Sequence, residues 1–175
     1  MKLTTIMLSF AAVLTAQTAS QTPPKNPLVA TSQGIFAIAK NDILRSADKI
    51  PDNLWSFQPT PEVRTIGQLF AHVADGQYEF CSAAVGTPVD KGVEKTAKTK
   101  ADIVAAVKEA FAYCDSAYSK MTDASAAEMV SFFGRKASRL GIMDFNIAHT
   151  MEHYGNLVTY MRIKGVVPPS SESSK

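Results

Sequence analysis

Four stretches of this chain repeat their apolar residues every three or four positions, and no stretch sustains a strand-like alternation of apolar and polar residues. That pattern restricts the chain to helices that each hide one stripe. The first stretch begins at Leu28 and carries Ile35, Phe36, Ala39, Ile43, Ala47 and Ile50 until Pro51 stops it. The second runs from about Thr65 to Val85, with Ile66, Leu69, Phe70, Val73 and Phe80 turned inward. The third, from about Lys100 to Met121, sets Ile103, Val107, Ala110, Cys114, Ala117 and Met121 in a seven-residue repeat with two apolar positions, the packing signature of a bundle. The last covers about Ser138 to Lys164, and Gly165 followed by Pro168-Pro169 ends it. The expected fold class is all-α, a four-helix bundle without strands.

The connections carry their own signals. Asp52 to Pro61 holds two prolines with Trp55 and Phe57, two aromatics suited to plug one end of a bundle. Gly86 to Lys98 is polar and long for a loop, which suits a lid or a crossover. Thr122 to Lys136 is less regular, and Phe132-Phe133-Gly134 reads as a turn with buried aromatics.

The chain has 175 residues, enough for one domain once its ends are set aside. Residues 1–20 pair a basic start, an apolar run from Leu3 to Leu14 and a small-residue exit, which describes a secretory signal peptide. That run is shorter than the ~20 residues of a membrane span, and it holds no cysteine for lipid attachment. Residues 21–27 form a proline-rich leader, 28–169 the helical domain and 170–175 a tail expected to be disordered. A periplasmic or secreted protein of the bacterial cell envelope follows, with no stable membrane anchor after signal removal. Hydrophobic residues at 46% and charged residues at 19% match a globular chain. A net charge of +2 without a basic stripe gives nucleic acid no electrostatic hold. In an oxidising compartment Cys81 and Cys114 can pair; equally, both can be buried thiols packing as small hydrophobes.

Chemistry concentrates on the three histidines, His72, His149 and His153. Four residues of helix leave His149 and His153 about 40° apart and one turn along the axis, so both rings can meet one ion. Ile142, Phe145, Asn156 and Tyr160 project within about 60° of His149, which places the pair on the face that turns inward. Buried imidazoles need partners; a metal supplies them, as would Asn146, Asn156 or water. His72 flanks the stripe of the second helix and is the third candidate ligand. Cys81 lies about 180° around that helix from His72 and so stays outside the site. Glu152 turns about 100° from His153 and reads as a surface charge. Asp75 is near His72 in sequence, and Asp144 is a candidate to orient a ligand. Arg162 suits the helix C-terminus, as a cap or as a carboxylate anchor. No catalytic residue is assigned.

The chain resembles the DinB-like superfamily of helical-bundle metalloproteins. The resemblance is carried by Trp55 and Pro61, by Thr65-Ile66-Gly67-Gln68-Leu69 leading to His72, and by His149-Thr150-Met151-Glu152-His153-Tyr154-Gly155-Asn156-Leu157 with Tyr160, Arg162, Gly165 and Pro168-Pro169 behind it. It covers about Leu28 to Pro169, and Asn156 stands where many members have glutamine. It implies a four-helix bundle with long crossover connections and one divalent metal ion, zinc or nickel, on His72, His149 and His153. It also implies a tendency to form homodimers and, in some relatives, chemistry on small thiols. Three functional readings follow. One is an exported metalloenzyme, a metal-dependent hydrolase or thiol-dependent transferase acting on a small molecule. The second is a non-catalytic stress-response bundle that binds a metal or small ligand, and the third is a bundle with no metal at all.

Overall fold

The computed structural model describes residues 24–172; the expected signal peptide and residues 173–175 lie outside the described residues. In chain order the elements are α1 (Pro27–Lys49), α2 (Ile66–Val85), the single turn α3 (Val93–Thr96), α4 (Lys100–Lys120), the single turn α5 (Asp123–Ala126), a hairpin of β1 (Met129–Phe132) and β2 (Arg135–Ser138), and α6 (Arg139–Ile163). The helices begin where a side chain can close the first turn. Thr65 with Gln68 and Thr99 with Asp102 form reciprocal capping boxes, and Ser138 accepts from the Gly141 N–H. Gly86, at φ 83°, ends α2 in the left-handed conformation that glycine adopts without a Cβ penalty.

α2 lies between α4 and α6, while α1 packs on α6 and α4 and is therefore diagonal to α2. Phe36 of α1 meets Phe111 and Tyr118 of α4 at ring separations of 5.7 and 5.2 Å. Trp55 stacks on Phe70 at 4.9 Å and donates from its indole nitrogen to the Ile50 carbonyl, closing one end of the bundle as its aromatic linker suggested. α2 and α4 run parallel. Gly67 near the start of α2 faces Ile103 near the start of α4, and Cys81 near its end is disulfide-bonded to Cys114. The connection from Gly86 to Thr99 must therefore run back along α2, and α3 rides on it. Of the two readings of the cysteines, the disulfide is the one found.

Three expectations are corrected. A short antiparallel hairpin exists, pairing Met129 with Ser138 and Phe132 with Arg135. Its strands are four residues each, and Phe133-Gly134 is an unusual pair for its two-residue turn, so its pattern was too brief to register. Ile35, placed on the α1 stripe, is 50% exposed, because the buried stripe passes through Ser32, Phe36 and Ala39 instead. The start of the tail is ordered: Pro169–Ser171 form a 3₁₀ turn, Tyr154 donates to Ser170, and Glu172 pairs with Arg45 and Lys49 of α1. Among the described residues no helix is long and apolar enough to cross a membrane.

Candidate metal centre

α2 delivers His72, and α6 delivers His149 and His153 one turn apart. The Nε2 atom of His149 lies 3.1 Å from that of His72 and 3.2 Å from that of His153. All three candidate ligand atoms fall within 4.8 Å of one another. A ring nitrogen in the plane of an imidazole either donates one hydrogen bond or accepts one. His149 Nε2 can thus satisfy only one of its two neighbours, whereas one cation accepts a lone pair from all three. Two nitrogens each about 2.0–2.1 Å from a tetrahedral ion stand roughly 3.3 Å apart. The observed spacings fit a shared ion.

The register of α6 on α2 is set just beside the site. Gln77, fully buried, donates to Thr150 Oγ1 at 2.8 Å and accepts from Asn146 Nδ2 at 2.8 Å. Asn146 and Thr150 bracket His149, so this pair of hydrogen bonds seats its ring opposite His72. Asn146 therefore serves the helix register and not the histidines.

Each ring has a different outer partner. His72 Nδ1 lies 3.0 Å from Glu94 Oε2, and a carboxylate there fixes the proton on Nδ1 and leaves the Nε2 lone pair facing the other rings. Burial pushes the Glu94 carboxyl up, but hydrogen bonds from Arg64 and His72 outweigh it and hold its pKa below the usual range. His153 Nδ1 sits 3.4 Å from the side-chain amide of Asn156. His149 Nδ1 is buried without a hydrogen-bond partner among the described residues. Its ring lies directly against Gly76, where a Cβ would come within 2.6 Å of Cε1 and 2.9 Å of Nδ1.

Gly76 was not singled out from the sequence, although a glycine inside a helix costs roughly 0.5–1 kcal/mol and so hints at a packing reason. We expect Gly76→Ala to weaken metal binding about 10–100-fold and to destabilise the fold, because a forced shift of about 1–3 kcal/mol exceeds the helix-propensity gain. Calorimetric titration with zinc and thermal unfolding test this; unchanged affinity would show that the ring has room to move.

Burial, then the neighbouring His153 and His72, lower the His149 pKa to about 4, and burial also lowers that of His153. Both rings are therefore neutral at neutral pH, the form a metal requires. In the metal-free protein the sign follows directly. The unfolded chain takes up His149's proton near the ordinary value of 6.5, the folded one only near 4. Stability is therefore fully present above about pH 6.5 and declines as pH falls towards 4. We expect a loss on the order of 1–2 kcal/mol, reduced by solvent screening at the ring edge, in metal-free urea unfolding at a series of pH values. A flat profile between those values would contradict it.

The remaining candidates lie elsewhere. Asp75 accepts from the Val93 and Glu94 backbone N–H groups and so holds α3 in place. Asp144 accepts from Ser32 at 2.6 Å on the α1 side of α6, which removes it from the histidines. Glu152 is exposed. Arg162 donates to Ser171 at 2.7 Å, tying the 3₁₀ turn to α6, and among the described residues it anchors no carboxylate. Glu94 was missed because nothing local in the sequence links it to His72.

Comparison with known proteins gives the same architecture. A DinB-like protein from Bacillus cereus superposes with a TM-score of 0.70 at 18% identity, covering 80% of this chain and 95% of that one. A DinB-like protein from Bacillus subtilis gives 0.63 at 20% identity, covering 80% and 92%. An uncharacterised Escherichia coli protein gives 0.63 at 12% identity, covering 82% and 96%. No curated protein matches in sequence. The DinB superfamily family model matches residues 35–157, a span that contains all three histidines. With most of its length covered by that match, and with this fold, the chain belongs to the DinB superfamily.

Proposed function

We propose that this protein is an exported metalloprotein that holds one divalent ion, zinc or nickel, on His72, His149 and His153. The observation that carries the reading is the convergence of three Nε2 atoms on a point where hydrogen bonding can satisfy only part of the set. Neutral imidazoles suit either ion. With three protein ligands, such an ion keeps a position open and supplies Lewis acidity. The chain's own residues prepare the site: Glu94 sets the tautomer and aim of His72, Phe80 packs edge-on to His149 at 5.0 Å, and Gly76 leaves the space that ring occupies. That preparation favours a metal-dependent activity on a small molecule.

Export is supported by the composition of residues 1–20 and by the Cys81–Cys114 disulfide, a bond that persists in oxidising compartments. The test is direct. The processed chain, purified from the periplasm without an affinity tag, is expected to carry about one zinc or nickel per chain by elemental analysis, with a chelator lowering its melting temperature. Failure to take up either ion at stoichiometry after incubation would end the reading.

A further inference from the structure

The aromatic residues beside the histidines continue into a cleft. Phe80, whose ring abuts His149, is touched by Phe132, Phe133 and Phe145 at ring separations of 6.0, 6.3 and 5.2 Å. Phe80 is buried, as a core residue should be, but Phe133 is 66% exposed. Phe133 also sits at φ 46° and precedes Gly134 at φ 74°. Two positive φ values in a two-residue hairpin turn favour asparagine or glycine at the first position, and a bulky residue there is strained. Core filling does not explain an exposed ring held in that conformation. Strained residues of this kind cluster at ligand sites.

Phe132 and Phe133 form one side of a cleft of about 590 Å³, whose other side is α2 and the returning crossover. That volume lies in the ~300–1,000 Å³ range of small-molecule sites. Glu94 lines the cleft and contacts His72, so cleft and histidines share a wall. The lining carries the carboxylates of Asp75, Glu79, Asp90 and Glu94 against the single ammonium of Lys95. Glu94 is ion-paired with Arg64 and Asp75 holds the Val93 and Glu94 backbone N–H groups, so the negative excess of the cleft rests on Asp75, Glu79 and Asp90. A concave site with an excess of one sign of charge concentrates ligands of the other sign.

We infer that this cleft is the ligand subsite of the histidine centre and takes a small cationic molecule bearing an aromatic or similarly sized apolar group, with that group laid on Phe132 and Phe133. Carboxylate-bearing thiols are disfavoured by the same charges. The word subsite rests on the metal reading above; binding in the cleft does not.

The test uses the full processed chain, with and without zinc, titrated by NMR with 2-phenylethylamine and with 3-phenylpropionate. The amine is expected to bind about tenfold tighter than the acid, with a preference that shrinks as salt rises and narrows in Glu79→Gln. Phe133→Asn is expected to weaken amine binding by about tenfold while raising the melting temperature, since it relieves the turn. Equal or tighter binding of the acid, or unchanged amine binding in Phe133→Asn, overturns the inference. A chain that binds the amine but no zinc sinks the metal reading and leaves the cleft standing; one that binds zinc but not the amine does the reverse.

Discussion

His149→Ala is expected to lose its metal, with affinity falling about a thousandfold, because each ligand to such an ion carries several kcal/mol of a total of roughly 10–16 kcal/mol at a full structural zinc site. His149 is the ring whose Nε2 lies near both others, so its removal leaves two ligands on different helices. The metal-free variant should keep a melting temperature close to that of the metal-free parent. Truncating a half-buried ring opens a cavity, but here it also removes a buried nitrogen with no partner among the described residues, and the two effects oppose each other. What disappears is the stabilisation by added zinc, about 4 kcal/mol for the parent at a thousand times its Kd. Glu94→Gln should fall between parent and His149→Ala, weakening binding about 10–100-fold, since a neutral amide orients His72 less firmly. Calorimetric titration with zinc and thermal unfolding with and without metal distinguish these outcomes. Parent-like zinc affinity in His149→Ala would rule out the shared ion.

The second large effect is expected at the disulfide. Replacing both cysteines, as Cys81→Ala with Cys114→Ala, should lower unfolding stability by roughly 3–4 kcal/mol, the loop-entropy value for a closure of this length. The closed segment, separated by 33 positions, contains α3 and the whole crossover that places Glu94 beside His72. Zinc affinity should therefore fall alongside stability, by a smaller factor than in His149→Ala. Urea unfolding of the parent with and without a reductant gives the same comparison without mutation. A drop below about 1 kcal/mol in both experiments would mean that the unfolded chain is already constrained without the bond.

Much of the fold was legible one helix at a time. The three- and four-residue spacing located α1, α2, α4 and α6, and Pro51, Gly86 and Gly165 marked three of their ends. The spacing of His149 and His153 placed both rings on one face, and their Nε2 atoms are indeed neighbours. Where the reading failed, the competing signal was local and short. The hairpin offered only four residues per strand, and Ile35 lost its place in the core to a stripe centred one residue away.

What the sequence by itself determined, then, is most of what depends on neighbours within a turn or two: the four long helices, three of their ends and the paired histidines on α6. Only the tertiary structure decided that α2 and α4 run parallel, that the crossover returns past His72 to bring Glu94 within 3.0 Å, that Cys81 meets Cys114, and that Gly76 makes room for a ring 73 positions away. Helical periodicity says which face of a helix is buried but not against which helix or in which direction. Those choices are made by packing all the faces at once.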